Sequence, residues 1–251
     1  MRDIRKNNSF YYSQNSLNTF LKCPFKFKLK YINGVSWKKD SPIDVEYYKN
    51  IKKGLDFHLI CERYFLDIPL GLEKKEYIDK DLLNWTNNLI EKFPKKKQKK
   101  YLPEYEIKMK KNNIRIQAKY DLIILHDNKI YIIDFKTEER KLTHKEMKKR
   151  FQTILYMYIM YEKAKEIFNI DVQAIDIKMI FWQPKFKEDF IEIEYSEKIH
   201  LENEIIIKNT INTIDEYNFE LDFNKNLYKS HCKFCEFNYL CNNSRVDFDL
   251  D

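Results

Sequence analysis

The chain has 251 residues, 43% of them apolar, and a formal net charge of +7 from 46 Lys and Arg against 39 Asp and Glu. That length supports one large core, and no run approaches the roughly 18 uninterrupted apolar residues of a membrane span. Only three glycines occur, Gly34, Gly54 and Gly71, which excludes the Gly-rich phosphate loops of P-loop and Rossmann proteins.

The start, "MRDIRKNNSFYY", lacks the apolar centre of a secretory signal, so a cytosolic protein is expected. Residues 16–32, "SLNTFLKCPFKFKLKYI", read as a helix or helix-turn-helix. Ser16 is its N-cap candidate, Leu17, Phe20 and Leu21 its apolar stripe, and Pro24 the break. Asn33-Gly34 is the stop signal. A second helix is expected over 51–66, burying Phe57, Ile60, Cys61, Tyr64 and Phe65, and a third over 79–93, ending at Pro94. "EKFPKKKQKK" then puts six lysines within residues 92–100, the composition of a solvated loop or of a polyanion-binding face.

The pattern changes to strands at about 104–110, 114–125 and 129–136. Thr143 and Glu146 have capping-box spacing ahead of one long helix running to about Phe168. "HKEMKKR" in its first turns is a second basic group. Strands follow near 174–182 and 189–195, and Ser196 is placed to cap a last long helix to about Tyr217. This order implies an α/β or α+β core carrying a helical N-terminal lobe.

"LIILHDNKIYII" reads as a hairpin turning at Asp127-Asn128. That turn pairs His126 with Lys129, Leu125 with Ile130 and Ile123 with Ile132. It also sets Asp121 opposite Asp134. Facing carboxylates repel unless a cation lies between them. Lys136 shares the face of Asp134 by strand alternation. Asp121, Asp134 and Lys136 are therefore expected as one cluster, where hard oxygen ligands suit Mg²⁺ or Mn²⁺. Such an ion activates water and clamps phosphate. An ion pair at a sheet end is the plainer alternative. Glu106, on the preceding strand, is either an outer carboxylate of that cluster or surface charge.

The tail "HCKFCEFNYLC" holds Cys232, Cys235 and Cys241 as C-x2-C-x5-C. Three thiols so close in a cytosolic protein point to metal rather than disulfides. Three soft ligands need a fourth. Zinc in a Cys₄ or Cys₃His site, with His231 available, is one option, and an iron–sulfur cluster is another. Cys61 is expected as a buried free thiol.

"KYDLIIL" followed by "IYIIDFKT" resembles the core of the PD-(D/E)XK nuclease superfamily, and within it the RecB-like nucleases. "SLNTFLKCPFKFKLKYINGV", "GLDFHLICERYF", "FQTILYMYIM" and the cysteine tail resemble further RecB-like motifs in the expected order, from residue 16 to residue 241. One departure is Ala118, where a glycine often precedes the first aspartate.

The resemblance implies a restriction-endonuclease-like mixed sheet flanked by helices, with a helical N-terminal lobe tied to a C-terminal cysteine cluster. It implies a single nuclease domain over 1–251, with the lobe at 1–100, the core at 101–217 and the tail at 218–251. His58, Asp121, Asp134 and the main-chain carbonyl of Phe135 would bind Mg²⁺ or Mn²⁺. Lys136 would position the attacking water, and Gln152 and Tyr156, on one helix face, would hold Lys136 or a phosphate. Cys23 would join Cys232, Cys235 and Cys241 around a four-iron four-sulfur cluster, with structural zinc as the alternative.

The implied activity is that of a DNA exonuclease acting on single strands in the 5′-to-3′ direction. It is similar to the CRISPR-associated exonucleases, whose partners are CRISPR integration proteins. The alternatives are a phage or DNA-repair nuclease without that role, and a non-catalytic iron–sulfur DNA-binding subunit. Rings among the lysines of "CPFKFKLKY" would either stack on bases or fill the core.

Overall fold

The computed structural model describes residues 3–7, 9–36, 42–72, 79–232 and 235–242. Parts of the expected tail, 233–234 and everything past 242, lie outside the described residues. Strand β1 (Tyr12–Ser13) leads into helices α1 (Gln14–Lys22) and α2 (Pro24–Phe27), then a π-helical turn (Lys28–Ile32). Helices α3 (Pro42–Phe65) and α4 (Lys80–Lys92) precede strands β2 (Lys100–Lys111), β3 (Ile114–His126) and β4 (Lys129–Phe135). Helices α5 (His144–Lys149) and α6 (Phe151–Phe168), strands β5 (Ile177–Trp182) and β6 (Phe190–Glu194), and helices α7 (Glu197–Glu216) and α8 (Asn238–Asn242) complete the chain. No helix among the described residues is long and apolar enough to cross a membrane.

The six strands form one mixed sheet in the order β1-β3-β4-β5-β6, with β2 on the other edge of β3. β4 and β5 run parallel and the β3–β4 hairpin is antiparallel. Asp127 and Asn128 both take positive φ, 50° and 58°, which a type I′ turn requires. The expected register holds from His126↔Lys129 to Leu122↔Ile133. It ends there, one step short of Asp121 and Asp134.

Side-chain alternation gives the sheet two apolar faces. Ile130 and Ile132 pack with α6 and α7 residues such as Leu155, Ile159 and Ile207. Ile133 and Phe135 pack with Phe57, Trp85 and Trp182 beneath α3 and α4. Each fully buried side chain of this size contributes about 1.5–3 kcal/mol. Helices on both faces of a mixed sheet give the α/β restriction-endonuclease-like architecture.

Several local expectations need correction. Ser13, not Ser16, caps α1: its side chain accepts from Ser16 N, and Ser16 Oγ accepts in return from Ser13 N. The second helix begins at Pro42, well before residue 51. Tyr64 is only half-buried.

The helix after Thr143 is two helices. Arg150 is extended (φ −64°, ψ 136°), its guanidinium tied to Glu138 and Glu146, and Thr153 Oγ1 donates to Met147 O at 2.6 Å. No Pro or Gly marks this break, because side-chain bonds, not backbone chemistry, hold it open. The rings of Phe25 and Phe27 pack internally, Phe25 on Phe223 and Phe27 on Phe20.

Candidate metal centre

β3 is paired with β2 along one edge. Its other edge meets β4 from Leu122 to His126 and β1 at Ile116 and Gln117. Asp121 falls in the gap between those partners. The β2–β3 register also skips it, running from Pro103↔Leu122 to Tyr105↔Tyr120. The intervening β2 residue is Glu104, at φ 50°, a conformation uncommon for a side chain of this kind. The sheet therefore forks at Asp121, freeing backbone and side chain together.

β4 leaves β3 at this fork. Phe135 N donates to Asp121 Oδ2 at 2.9 Å, and Lys136 N donates to Trp182 O at 2.9 Å. Asp121 thus faces the main chain after Asp134 rather than the Asp134 carboxylate.

Asp134 is buried at 2% exposure. Its Oδ1 accepts from Gln152 Nε2. Its Oδ2 lies 2.6 Å from Lys136 Nζ, yet has no directed hydrogen-bond donor. Lys136 Nζ instead donates to Gln152 Oε1 at 3.0 Å. Burial, aided by Asp121, raises the Asp134 pKa to about 6 against the pull of Lys136 and His58. Burial also works against the Lys136 charge, but Asp134 and Asp121 hold its pKa above the usual lysine value. Tyr156, one turn beyond Gln152, lies against it, and burial next to the two aspartates lifts its hydroxyl well above the phenol range.

His58 arrives from α3 on the opposite face of the sheet. Phe57 and Phe65 pack against Phe135 at ring distances of 6.2 and 6.4 Å, fixing α3 over the end of β4. One turn before His58, Gly54 is buried, and a methyl group there would meet Thr137 Oγ1 at 2.9 Å. This close approach brings His58 Nδ1 to 3.5 Å from Asp121 Oδ2. Burial disfavours the imidazolium, but Asp121, then Asp134 and Glu104, win and raise its pKa above the ordinary histidine value.

His58, Glu104 and Asp121 each present one ligand atom within 4.8 Å of the others, the only such trio of His, Cys, Asp or Glu among the described residues. Hard oxygens with one imidazole suit Mg²⁺ or Mn²⁺. Asp134, buried nearby, keeps one oxygen 2.6 Å from the Lys136 ammonium without a directed hydrogen bond. Asp121, Asp134, Lys136, His58, Gln152 and Tyr156 meet at this fork. The Phe135 ring belongs to the apolar core, while its amide binds Asp121.

Glu106 stands apart, exposed and 3.4 Å from Lys108. Glu104 takes the place expected of it, and its ion pair with Lys119 tethers it beside Asp121. Counting back from the turn at Asn112-Asn113 places Glu104 opposite Asp121, a signal as plain as the one at Asp127-Asn128.

The cysteines form a separate site. Cys23 ends α1 and caps α2, accepting from Lys26 N at 3.5 Å. Cys23, Cys232, Cys235 and Cys241, with His231, line a cavity of about 430 Å³. All four are free thiols. Burial, with the neighbouring thiols adding to it, raises the pKa of Cys23, Cys235 and Cys241. Such mutual opposition to charge is relieved by a bound cationic centre. A single tetrahedral zinc, with Zn–S near 2.3 Å, draws its sulfurs to within about 4 Å of one another. No three of these sulfurs lie within 4.8 Å of one another, and a four-thiol lining suits either zinc or an iron–sulfur cluster. Cys61 is buried and apart from this group, as expected.

The family model described as the PD-(D/E)XK nuclease superfamily matches residues 11–242. Among solved structures, a presumed exonuclease from Eubacterium rectale superposes with a TM-score of 0.54 at 11% identity, over 98% of this chain and 92% of that one. At that identity the likeness speaks for the fold alone. The structure of SSO0001 aligns at 18% identity over 82% of this chain and 98% of its own, but its TM-score of 0.35 is too low to argue from. No curated protein matches the chain in sequence.

Proposed function

The chain belongs to the PD-(D/E)XK nuclease superfamily, and from that premise we propose that it is a Mg²⁺- or Mn²⁺-dependent DNA exonuclease acting on single-stranded ends in the 5′-to-3′ direction. The observation that supports the metal-dependent chemistry is the fork, where His58, Glu104 and Asp121 converge near the buried Asp134 and Lys136 pair, while the strand preference and direction rest on the resemblance.

His58, Glu104 and Asp121, with Asp134 and the main-chain carbonyl of Phe135, would hold the cation. When bound, the ion lowers the pKa of water and neutralises phosphate charge. Lys136, kept protonated by the aspartates, orients the attacking oxygen and meets the negative charge that builds on the phosphate. Gln152 bridges Lys136 and Asp134 and fixes both rotamers, and Tyr156 backs Gln152. Glu104 is an addition to the set expected from sequence.

Cys23, Cys232, Cys235 and Cys241 would hold a four-iron four-sulfur cluster tying the N-terminal helices to the tail, with structural zinc as the alternative. The chain works as one cytoplasmic nuclease unit. Trimming of DNA ends before integration, alongside CRISPR integration proteins, is the role we assign it.

The test is degradation of end-labelled single-stranded DNA with each metal. Wild type is expected to shorten the strand from its 5′ end, and Asp134→Ala to bind it without cutting. Wild type that binds but cuts no DNA with either metal would leave a DNA-binding subunit and end the nuclease assignment.

A further inference from the structure

We infer that a second nucleic-acid subsite lies beside the fork, in a groove between α5, the first turns of α6, β6 and α7, and that it carries the single strand leading to the metal centre. The inference rests on the nuclease assignment and extends it.

The groove has a volume of about 610 Å³, the size of a small-ligand pocket, which suits a short length of one strand and not a duplex. Its floor is aliphatic. Met157 and Ile193 are buried, Ile154 and Ile199 are half-covered, and Ile206 is 40% exposed. One rim is α5, where Lys145, Lys148 and Lys149 are exposed. Among the described residues none of these three lysines has a carboxylate partner, whereas Arg140 and Arg150, which flank them, are both paired with Glu146. The opposite wall carries Glu194 and Glu202.

That asymmetry selects the occupant. A single strand is charged along one edge only, so its phosphates fit the lysine rim while its bases cover the floor and turn toward the acidic wall. An acidic amphipathic peptide would bring carboxylates toward Glu194 and Glu202 as well.

The groove also adjoins the turn of α6 that carries Gln152 toward the fork. Gln152 reaches Lys136 and Asp134, and the next residue, Thr153, lines the groove. The loop leaving Lys136 is fastened to α5 by the Arg140–Glu146 pair, and to the junction before α6 by Arg150–Glu138. A strand bound along α5 thus lies against the same loop and helix start that hold Lys136 and Gln152.

The test compares the full chain, loaded with Mn²⁺, with its Lys145→Ala/Lys148→Ala/Lys149→Ala variant. KM and kcat are read on a long oligothymidylate and on one short enough to fill only the fork. The variant is expected to raise KM on the long strand about tenfold and to weaken its salt dependence by about two powers of salt concentration, ~0.7 for each lost phosphate contact. Its kcat, and both constants on the short strand, should match wild type. Lys96→Ala/Lys97→Ala/Lys99→Ala, which removes the same charge from the loop before β2, should leave the salt slope unchanged.

An unchanged KM and salt slope in the α5 variant would overturn the groove while leaving the nuclease intact. Equal effects of the two triple variants would do the same, by exposing a general field. Strand binding that depends on the α5 lysines, without cleavage in wild type, would keep the groove and remove the nuclease. An acidic peptide that occupies the groove where oligothymidylate does not would also overturn it.

Discussion

The fork and the cysteine cavity gather donor groups in opposite ways. At the fork, three carboxylates and a lysine stand on or beside strands with buried apolar neighbours, and α3 is clamped above them by Phe57, Phe65 and Phe135. The donors are fixed before any ion arrives. At the cavity, Cys23 caps the four-residue α2, Cys232 follows a 3₁₀ segment (Lys225–His231), Cys235 lies outside any helix and Cys241 is on the five-residue α8. Phe27 and Phe237 anchor those pieces by burial, but the cysteines themselves sit in short segments that a bound group would order further. A preorganised site is suited to chemistry and a metal-closed site to architecture.

Lys136→Met attacks the rigid side of that contrast hardest. Turnover is expected to fall roughly 10²–10³-fold, with DNA binding retained. Removing the partner of a buried carboxylate also costs about 3 kcal/mol near neutral pH, readable in urea unfolding. Comparable loss of DNA binding and of turnover would mean that the lysine only gathers substrate.

Glu104→Gln comes next. Mn²⁺ affinity should weaken about 10–100-fold, as for other groups supporting a metal, while Glu106→Gln leaves it unchanged. Calorimetric titration of both variants separates the two carboxylates.

Cys232→Ala sharpens the comparison from the soft side. The protein should lose its brown iron–sulfur absorbance, and proteolysis should speed up around 218–242. Amide exchange in β3 and β4 should stay as slow as in wild type. A colourless wild type containing zinc would sink the iron assignment.

Gly54→Ala is the subtler probe. Its methyl group meets Thr137 Oγ1 at 2.9 Å, so the Thr137 side chain or α3 must give way at a cost of about 1–3 kcal/mol, and where α3 gives way Mn²⁺ affinity is expected to fall about tenfold as His58 moves. Unchanged affinity would mean that His58 is not held by this contact.

The smallest effect is one of pH. Asp134, raised to about 6, and His58, raised above its ordinary value, both bind protons more readily folded than unfolded. The metal-free protein therefore loses stability as pH rises through about 6. Mn²⁺ competes with the same protons, so the gain in melting temperature on adding Mn²⁺ should be small below pH 6 and grow above it.

The hairpin was readable because Asp127-Asn128 is a strong turn signal and fixes every pair up to Leu122↔Ile133. Its final step was not, because the strands part at Asp121, and that parting is tertiary: Phe135 N turns to Asp121 while β4 continues on β5. Glu104 was equally readable from Asn112-Asn113, but Glu106 draws attention as the carboxylate in the cleaner alternating run. The break at Arg150 left no mark, since ion pairs and the Thr153–Met147 bond make it. The tail spacing points to a metal, whereas Cys23, more than 200 residues away, enters only through resemblance.

The most direct measurement is a Mn²⁺ titration followed by electron paramagnetic resonance, with cleavage of labelled single-stranded DNA read on the same samples. The account predicts Mn²⁺ binding at the fork, cleavage that rises with its occupancy, and loss of both in Asp121→Ala while the cysteine-site absorbance persists. Cleavage without a divalent ion, or a Mn²⁺ signal that survives in Asp121→Ala, would contradict it.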